Sequence, residues 1–172
     1  MGHRLETERL VLRHLTLDDA ELMLALWNDP DFIRYVGDRE IRTMEEARDT
    51  LEDGALAMYD DLGYGPYRVT LKSTDEDIGT CGLFKREIFD EPDLGFGLLP
   101  PHRQSGFAYE ASLAVLDYAH RGLGLNRLIA IVSPENAASV RLLEKLGLHY
   151  ERDVRMPDDD HDVALYAIEW PS

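Results

Sequence analysis

Cysteine is almost missing from this chain, with Cys81 standing alone among 172 residues. A lone thiol closes no internal disulfide and brings no second sulfur to a metal site, so a disulfide-stapled or zinc-stapled scaffold is excluded and a reducing compartment is expected. Lysine is scarce too, at Lys72, Lys85 and Lys145, and basic residues as a whole number 18 against 34 acidic ones, for a formal charge of −16. A surface of that sign repels phosphate backbones, which excludes general nucleic-acid binding. The same field either gathers cationic ligands such as amines or serves solubility alone. No apolar run approaches the roughly 20 residues needed to cross a bilayer, so no membrane span is expected. The start, Met1 to Glu8, lacks an apolar segment behind a basic beginning, which reads as no secretory signal and a cytoplasmic location. The six histidines include no H-x-x-x-H pair, and Asp75-Glu-Asp-Ile-Gly79 lacks the later spacing and final glutamate of a calcium loop, so no metal is expected.

What remains has the composition of an ordinary globular domain, 44% hydrophobic and 9% aromatic. Its length suits one core that buries about two thirds of the unfolded surface, and no repeat, low-complexity tract or linker divides it, so residues 1–172 read as a single domain. Residues 9–14 form a strand candidate. Thr16 is an N-cap with Asp19 three residues on and Leu22, Met23, Leu26 and Trp27 behind it, a helix ending near Asn28-Asp29-Pro30. Thr43-Met-Glu-Glu46 opens a second helix running to about Tyr59. Residues 67–72 and 78–86 form a hairpin, and 93–99 a further strand closed by Pro100-Pro101. A helix at 107–120, a strand at 127–132, a helix at 136–146 and a last hairpin at 148–156 and 162–170 complete the order β-αα-βββ-α-β-α-ββ. The fold class is mixed α/β, with about seven strands in one mostly antiparallel sheet, about four helices, and a parallel βαβ unit near residues 93–132.

The segment Leu98-Leu-Pro-Pro-His-Arg103-Gln-Ser-Gly106-Phe-Ala108-Tyr-Glu-Ala111 is a strand, a short loop and a helix start. Successive N–H groups in such a turn, with the positive end of a helix behind them, cradle phosphate oxygens, and Gly106 keeps a Cβ out of the ligand's way. Arg103 adds a guanidinium at the rim. Alone, this pattern is equally a plain βα turn. Gly95-Phe-Gly97 is no dinucleotide fingerprint, because it lies within the strand and its glycine spacing is incomplete.

Arg103-Gln-Ser-Gly106-Phe-Ala108 resembles the R/Q-x-x-G-x-G/A pyrophosphate loop of the GNAT superfamily of N-acetyltransferases. Glu6-Thr-Glu-Arg-Leu-Val-Leu-Arg13, Asn28-Asp-Pro30, Gly106-Phe-Ala-Tyr-Glu-Ala111 and Pro134-Glu-Asn136-Ala-Ala-Ser139-Val-Arg-Leu-Leu-Glu-Lys-Leu-Gly147-Leu are similar to the RimJ and RimL ribosomal-protein N-terminal acetyltransferases. The resemblance spans nearly the whole chain. It implies an enzyme that moves acetyl from acetyl-CoA to an amine in a ternary complex, without a covalent enzyme intermediate. It also implies that pantetheine fills a gap between the strands at 93–99 and 127–132 and bonds backbone of Phe96 and Leu98, that the pyrophosphate rests on Arg103, Gln104, Ser105, Gly106, Phe107 and Ala108, and that Asn136 lies against the arm. The Leu98 amide would face the thioester carbonyl as an oxyanion donor. The acceptor is a protein or peptide N-terminal α-amine by the same resemblance, with a small amine or a non-catalytic CoA sensor as alternatives, and its pocket is expected in the first two helices and the last hairpin. A homodimer is left open.

Ser139 shares a helical face with Leu142, Leu143 and Leu146, which aims it inward, either to protonate the leaving thiolate or to bond backbone in the first helical turn. Many superfamily members carry a tyrosine where this chain has Leu143. The glutamate that several members place on the strand before the asparagine is absent from Arg127 to Val132. Glu87, Asp93 and Asp158 are the carboxylates considered as bases, each read as a solvated charge, and none is assigned. His102 reads as a loop residue.

Overall fold

The computed structural model describes residues 3–157 and 161–171. Eight strands form one sheet in the order β1-β2-β3-β4-β5-β6-β8-β7. They are β1 Arg4–Glu6, β2 Leu10–His14, β3 Pro66–Leu71, β4 Asp77–Phe84, β5 Asp93–Leu98, β6 Arg127–Val132, β7 His149–Arg155 and β8 Asp162–Glu169. Every neighbouring pair is antiparallel except β5 and β6. The strand beyond the expected set, β1, is three residues long, too short for an alternating pattern to register.

The α-helices are α1 Ala20–Trp27, α2 Pro30–Tyr35, α3 Met44–Leu51, α4 Ala57–Leu62, α5 Phe107–Asp117 and α6 Ala137–Lys145. Their starts follow the chemistry of their caps. Thr16 Oγ1 accepts from the Asp18 amide at 3.2 Å while Asp19 Oδ2 accepts from the Thr16 amide at 2.8 Å, a reciprocal box that leads through one 3-10 turn into α1. Thr43 caps α3 by accepting from the Glu46 amide at 3.1 Å. The expected single helix from residue 43 to 59 is α3 and α4 joined by a π-type turn at Glu52–Leu56, and it continues to Leu62, where Gly63 adopts φ +78°. Asn28-Asp-Pro30 does end α1, but Pro30 also opens α2. Asp29 caps it by accepting from the Phe32 amide at 3.2 Å, and a proline at the first helical position gives up no needed donor.

Alternation along the strands separates two faces. Tyr67, Val69, Cys81, Leu83, Leu94 and Leu98 pack with Ala111, Val115, Leu143 and Leu146, so α5 and α6 cover one face. Arg68 points to the other face, where it bonds the buried Asp19 carboxylate at 2.9 Å at the entry to α1. Helices α1, α3 and α4 close a second apolar cluster there around Met23, Leu26, Trp27, Ala47 and Leu51.

Candidate active site

β5 and β6 touch at one register position, Asp93 opposite Ile129. Beyond it β5 stays paired with β4 as far as Leu98, and β6 stays paired with β8 as far as Val132, so the two strands part and leave a wedge-shaped gap. The Leu99 amide donates to the Ile78 carbonyl at 2.8 Å. Antiparallel pairing alternates, so Asp93, Gly95 and Gly97 also bond β4, whereas Phe96 and Leu98 turn their N–H and C=O groups toward the gap. A Cβ added at Gly97 would meet nothing within 4 Å, which leaves the main chain open there on the face opposite α5.

β4 presses on this strand end through a glycine. A Cβ at Gly79 would lie 2.1 Å from the Gly97 carbonyl oxygen and 2.8 Å from the Leu98 Cα. No side chain fits without moving the Leu98 peptide. Gly79→Ala is therefore expected to lower kcat by about a hundredfold, the scale of a 1 Å misplacement of reacting groups, with less than a tenfold change in CoA affinity. Steady-state kinetics beside calorimetry check this, and an unchanged kcat would separate the Leu98 amide from the chemistry.

After Leu98 the chain makes a 3-10 turn at Pro100–His102 and a loop in which Gln104 has φ +64° and Gly106 φ +81°, then enters α5. The amides of Gln104, Ser105, Gly106, Phe107, Ala108 and Tyr109 have no acceptor among the described residues. They surround the positive end of an 11-residue helix, a concentration of unspent donors that suits a diphosphate. Gap and loop together thus fit an extended ligand with a phosphorylated end, which is the shape of acetyl-CoA.

The Arg103 side chain departs from its expected part as a phosphate fork. Its Nε donates to the Leu98 carbonyl at 2.9 Å, its Nη2 to Asp29 at 2.5 Å and its Nη1 to Asp31 at 2.8 Å. Two carboxylates brought in by α2 out-compete the rim position, and the guanidinium instead clasps α2 to the end of β5. The cation beside Gly106 is Arg9, whose Nη2 would lie 3.4 Å from a Cβ there, and whose Nη1 donates to the Ser105 carbonyl at 3.2 Å. Sequence reasoning gave Arg9 no site role. The only available signal was that it belongs to the Glu6–Arg13 segment, which carries part of the family resemblance.

Asn136 caps α6, its Oδ1 accepting from the Ser139 amide at 3.3 Å. Ser139 is half-buried on the face of α6 that leads into the cluster containing Leu98, Leu143 and Leu146. Among the described residues its hydroxyl makes no bond to a carbonyl of the first turn, so the local backbone bond considered for it is not seen. Leu143 is 1% exposed, a core residue with no polar function.

Of the three carboxylates considered as bases, Glu87 lies exposed in the β4–β5 connection and Asp158 lies outside the described residues. Asp93 corrects its reading as a solvated charge. It is 2% exposed at the closed vertex of the gap, Arg86 approaches its Oδ2 at 3.4 Å, and its Oδ1 has no hydrogen-bond partner among the described residues. Burial there holds its carboxyl above the ordinary value, against the pull of Arg86.

The family description for the acetyltransferase (GNAT) domain matches residues 9–149. An uncharacterized N-acetyltransferase, p20, of Bacillus licheniformis is 35% identical over 86% of this chain and 83% of its own. The acetyltransferase of Agrobacterium tumefaciens superposes with a TM-score of 0.83 at 28% identity, covering 98% of this chain and 95% of that one. RimL, a ribosomal L7/L12 α-N-protein acetyltransferase solved with coenzyme A, shares the fold with a TM-score of 0.80 at 19% identity over 98% of each chain. A matched family domain over most of the chain, a splayed strand pair and a loop of unspent amides lead to one conclusion: the chain belongs to the GNAT family and is an acetyl-CoA-dependent N-acetyltransferase.

Proposed function

We propose that the acceptor is the α-amine of a protein or peptide N-terminus, which attacks the thioester carbonyl directly in a ternary complex. The observation that carries this reading is the character of the carboxylates around the gap. Asp93 is sealed at the vertex and Glu87 is turned to solvent, so neither is poised as a strong base. An amine attacks only when neutral. An α-amine has a pKa near 8 and a lysine side chain near 10.4, so at pH 7 their neutral fractions differ by a few hundredfold, and a site in which neither Asp93 nor Glu87 is poised as a base suits the former. RimL, which shares the fold, bears an α-N-protein acetyltransferase name and supports the same reading.

In this reading the amides of Phe96 and Leu98 hold the pantetheine arm, with that of Leu98 also meeting the charge that develops on the thioester oxygen. The amides of residues 104–108 hold the pyrophosphate, Asn136 fixes the start of α6, and Ser139 delivers a proton to the departing sulfur. A second reading is a small cationic amine. It is favoured by a cavity of about 330 Å³ lined by Asp18, Asp19, Glu21, Asp77, Leu22, Ala25 and Leu99, the last being the residue that follows Leu98.

Short peptides with free N-termini and internal lysines decide between the acceptors. Acetyl groups are expected on the α-amine, with kcat/KM rising with pH to about 8 and falling as salt screens the acidic surface. Products modified mainly on lysine, or rapid turnover of a polyamine with peptides untouched, overturn the N-terminal reading.

A further inference from the structure

Glu110 stands in the first turn of α5, where a carboxylate opposes any phosphate at the same helix end. The structure answers that charge from a segment far away in sequence. Thr7 Oγ1 donates to Glu110 Oε2 at 2.5 Å, the Arg9 amide donates to the same oxygen at 2.9 Å, and Arg9 Nε donates to Oε1 at 2.7 Å. Burial pushes the Glu110 carboxyl up, but these three bonds outweigh it and hold the group ionised, below its usual range.

The rest of the Arg9 guanidinium lies along the loop. It stacks on the Phe107 ring at 4.4 Å, Nη1 bonds the Ser105 carbonyl at 3.2 Å, and Nη2 has no acceptor among the described residues. Ser105 C=O and Gly106 N–H are the two ends of one peptide group. A cation donating to the carbonyl end polarises that peptide and makes its N–H a stronger donor on the opposite side, where the anion would rest.

We propose that Arg9 is a positioning residue for the pyrophosphate of acetyl-CoA, acting through the Ser105–Gly106 peptide and by cancelling the charge of Glu110 at the mouth of α5. The proposal rests on the assignment of the loop amides of residues 104–108 to the pyrophosphate. It differs from a purely structural staple between the β1–β2 turn and α5, because a staple has no preference for phosphate.

The experiment compares acetyl-CoA with S-acetylpantetheine, which has the same thioester and arm but no phosphate, in kcat/KM for the wild type, Arg9→Ala, Arg9→Lys, Glu110→Gln and the Arg9→Ala/Glu110→Gln pair. Arg9→Ala is expected to lose about tenfold with acetyl-CoA, the scale of one charge-assisted hydrogen bond, and Arg9→Lys, which keeps the charge and loses the fork, a smaller amount. With S-acetylpantetheine both changes fall below twofold. Adding Glu110→Gln to Arg9→Ala recovers several-fold with acetyl-CoA, since the uncompensated carboxylate is removed. Equal losses on both donors, no loss on acetyl-CoA, or no recovery in the pair overturns the proposal, and if Arg9→Ala does not fold the lysine variant carries the same comparison. A wild type that uses both donors equally well instead overturns the pyrophosphate assignment beneath it.

Discussion

Gly106→Val is expected to weaken CoA binding by a hundredfold or more while Gly106→Ala weakens it less. Two costs combine. The residue holds φ +81°, a conformation that a β-branched side chain occupies only at roughly 1 to 3 kcal/mol, so the loop relaxes and its amides lose their common aim. The branched side chain also fills the space through which an anion reaches the Gly106 and Phe107 amides. Losing even one charge-assisted hydrogen bond removes about 1.5 to 3 kcal/mol, and each 1.4 kcal/mol is about tenfold in affinity. Alanine has only a Cβ, whose nearest contact would be the movable Arg9 Nη2 at 3.4 Å, so it meets the backbone strain without the full blockage. Isothermal calorimetry with CoA reads the effect, and circular dichroism checks that α5 persists. Wild-type affinity in the valine variant would detach the loop from the phosphate.

Ser139→Ala is expected to lower kcat by about a hundredfold and to leave the CoA dissociation constant within about twofold. An interaction made only as the sulfur departs weakens turnover without weakening ground-state binding. The substitution is mild for the fold, because the Asn136 cap engages the backbone amide of residue 139 and the hydroxyl makes no bond among the described residues. A kcat equal to wild type would reduce Ser139 to a helix-start residue. A parallel rise in the CoA dissociation constant would assign it to binding instead.

Much of the local geometry around the candidate site was legible in the sequence, and the reasons are local. Gly106 declares its left-handed turn because few other residues take one up, Pro100-Pro101 marks the end of β5, and Asn136 marks the beginning of α6. Those signals lie within a few residues of what they specify. The part that Arg103 plays was hidden because it depends on Asp29 and Asp31, which belong to a helix concealed behind a proline that looked like a stop. Arg9 was hidden for the same reason, since its partners Ser105 and Glu110 are about a hundred residues away in sequence. Asp93 was misread because strand-end aspartates are ordinarily wet, and only the β5–β6 register shows that this one is closed over. Periodicity found most of the secondary elements, though not β1 or α2, while the pairing of charges across the fold was set by topology.

The donor amides from Gln104 to Tyr109 are main-chain groups, and most mutations replace a side chain while leaving them in place. A nucleotide seat of this kind is largely indifferent to genetic drift, apart from Gly106 and the residues that hold the loop's path. The acceptor side is expected to be built from side chains on the first helices and the last hairpin, where a single codon change alters the surface. A duplicated gene can therefore explore new amines without rebuilding its acetyl donor site. The same asymmetry suggests how to redirect this enzyme in the laboratory: diversify the faces carried by α1, α3 and the last hairpin, and leave residues 98 to 110 untouched.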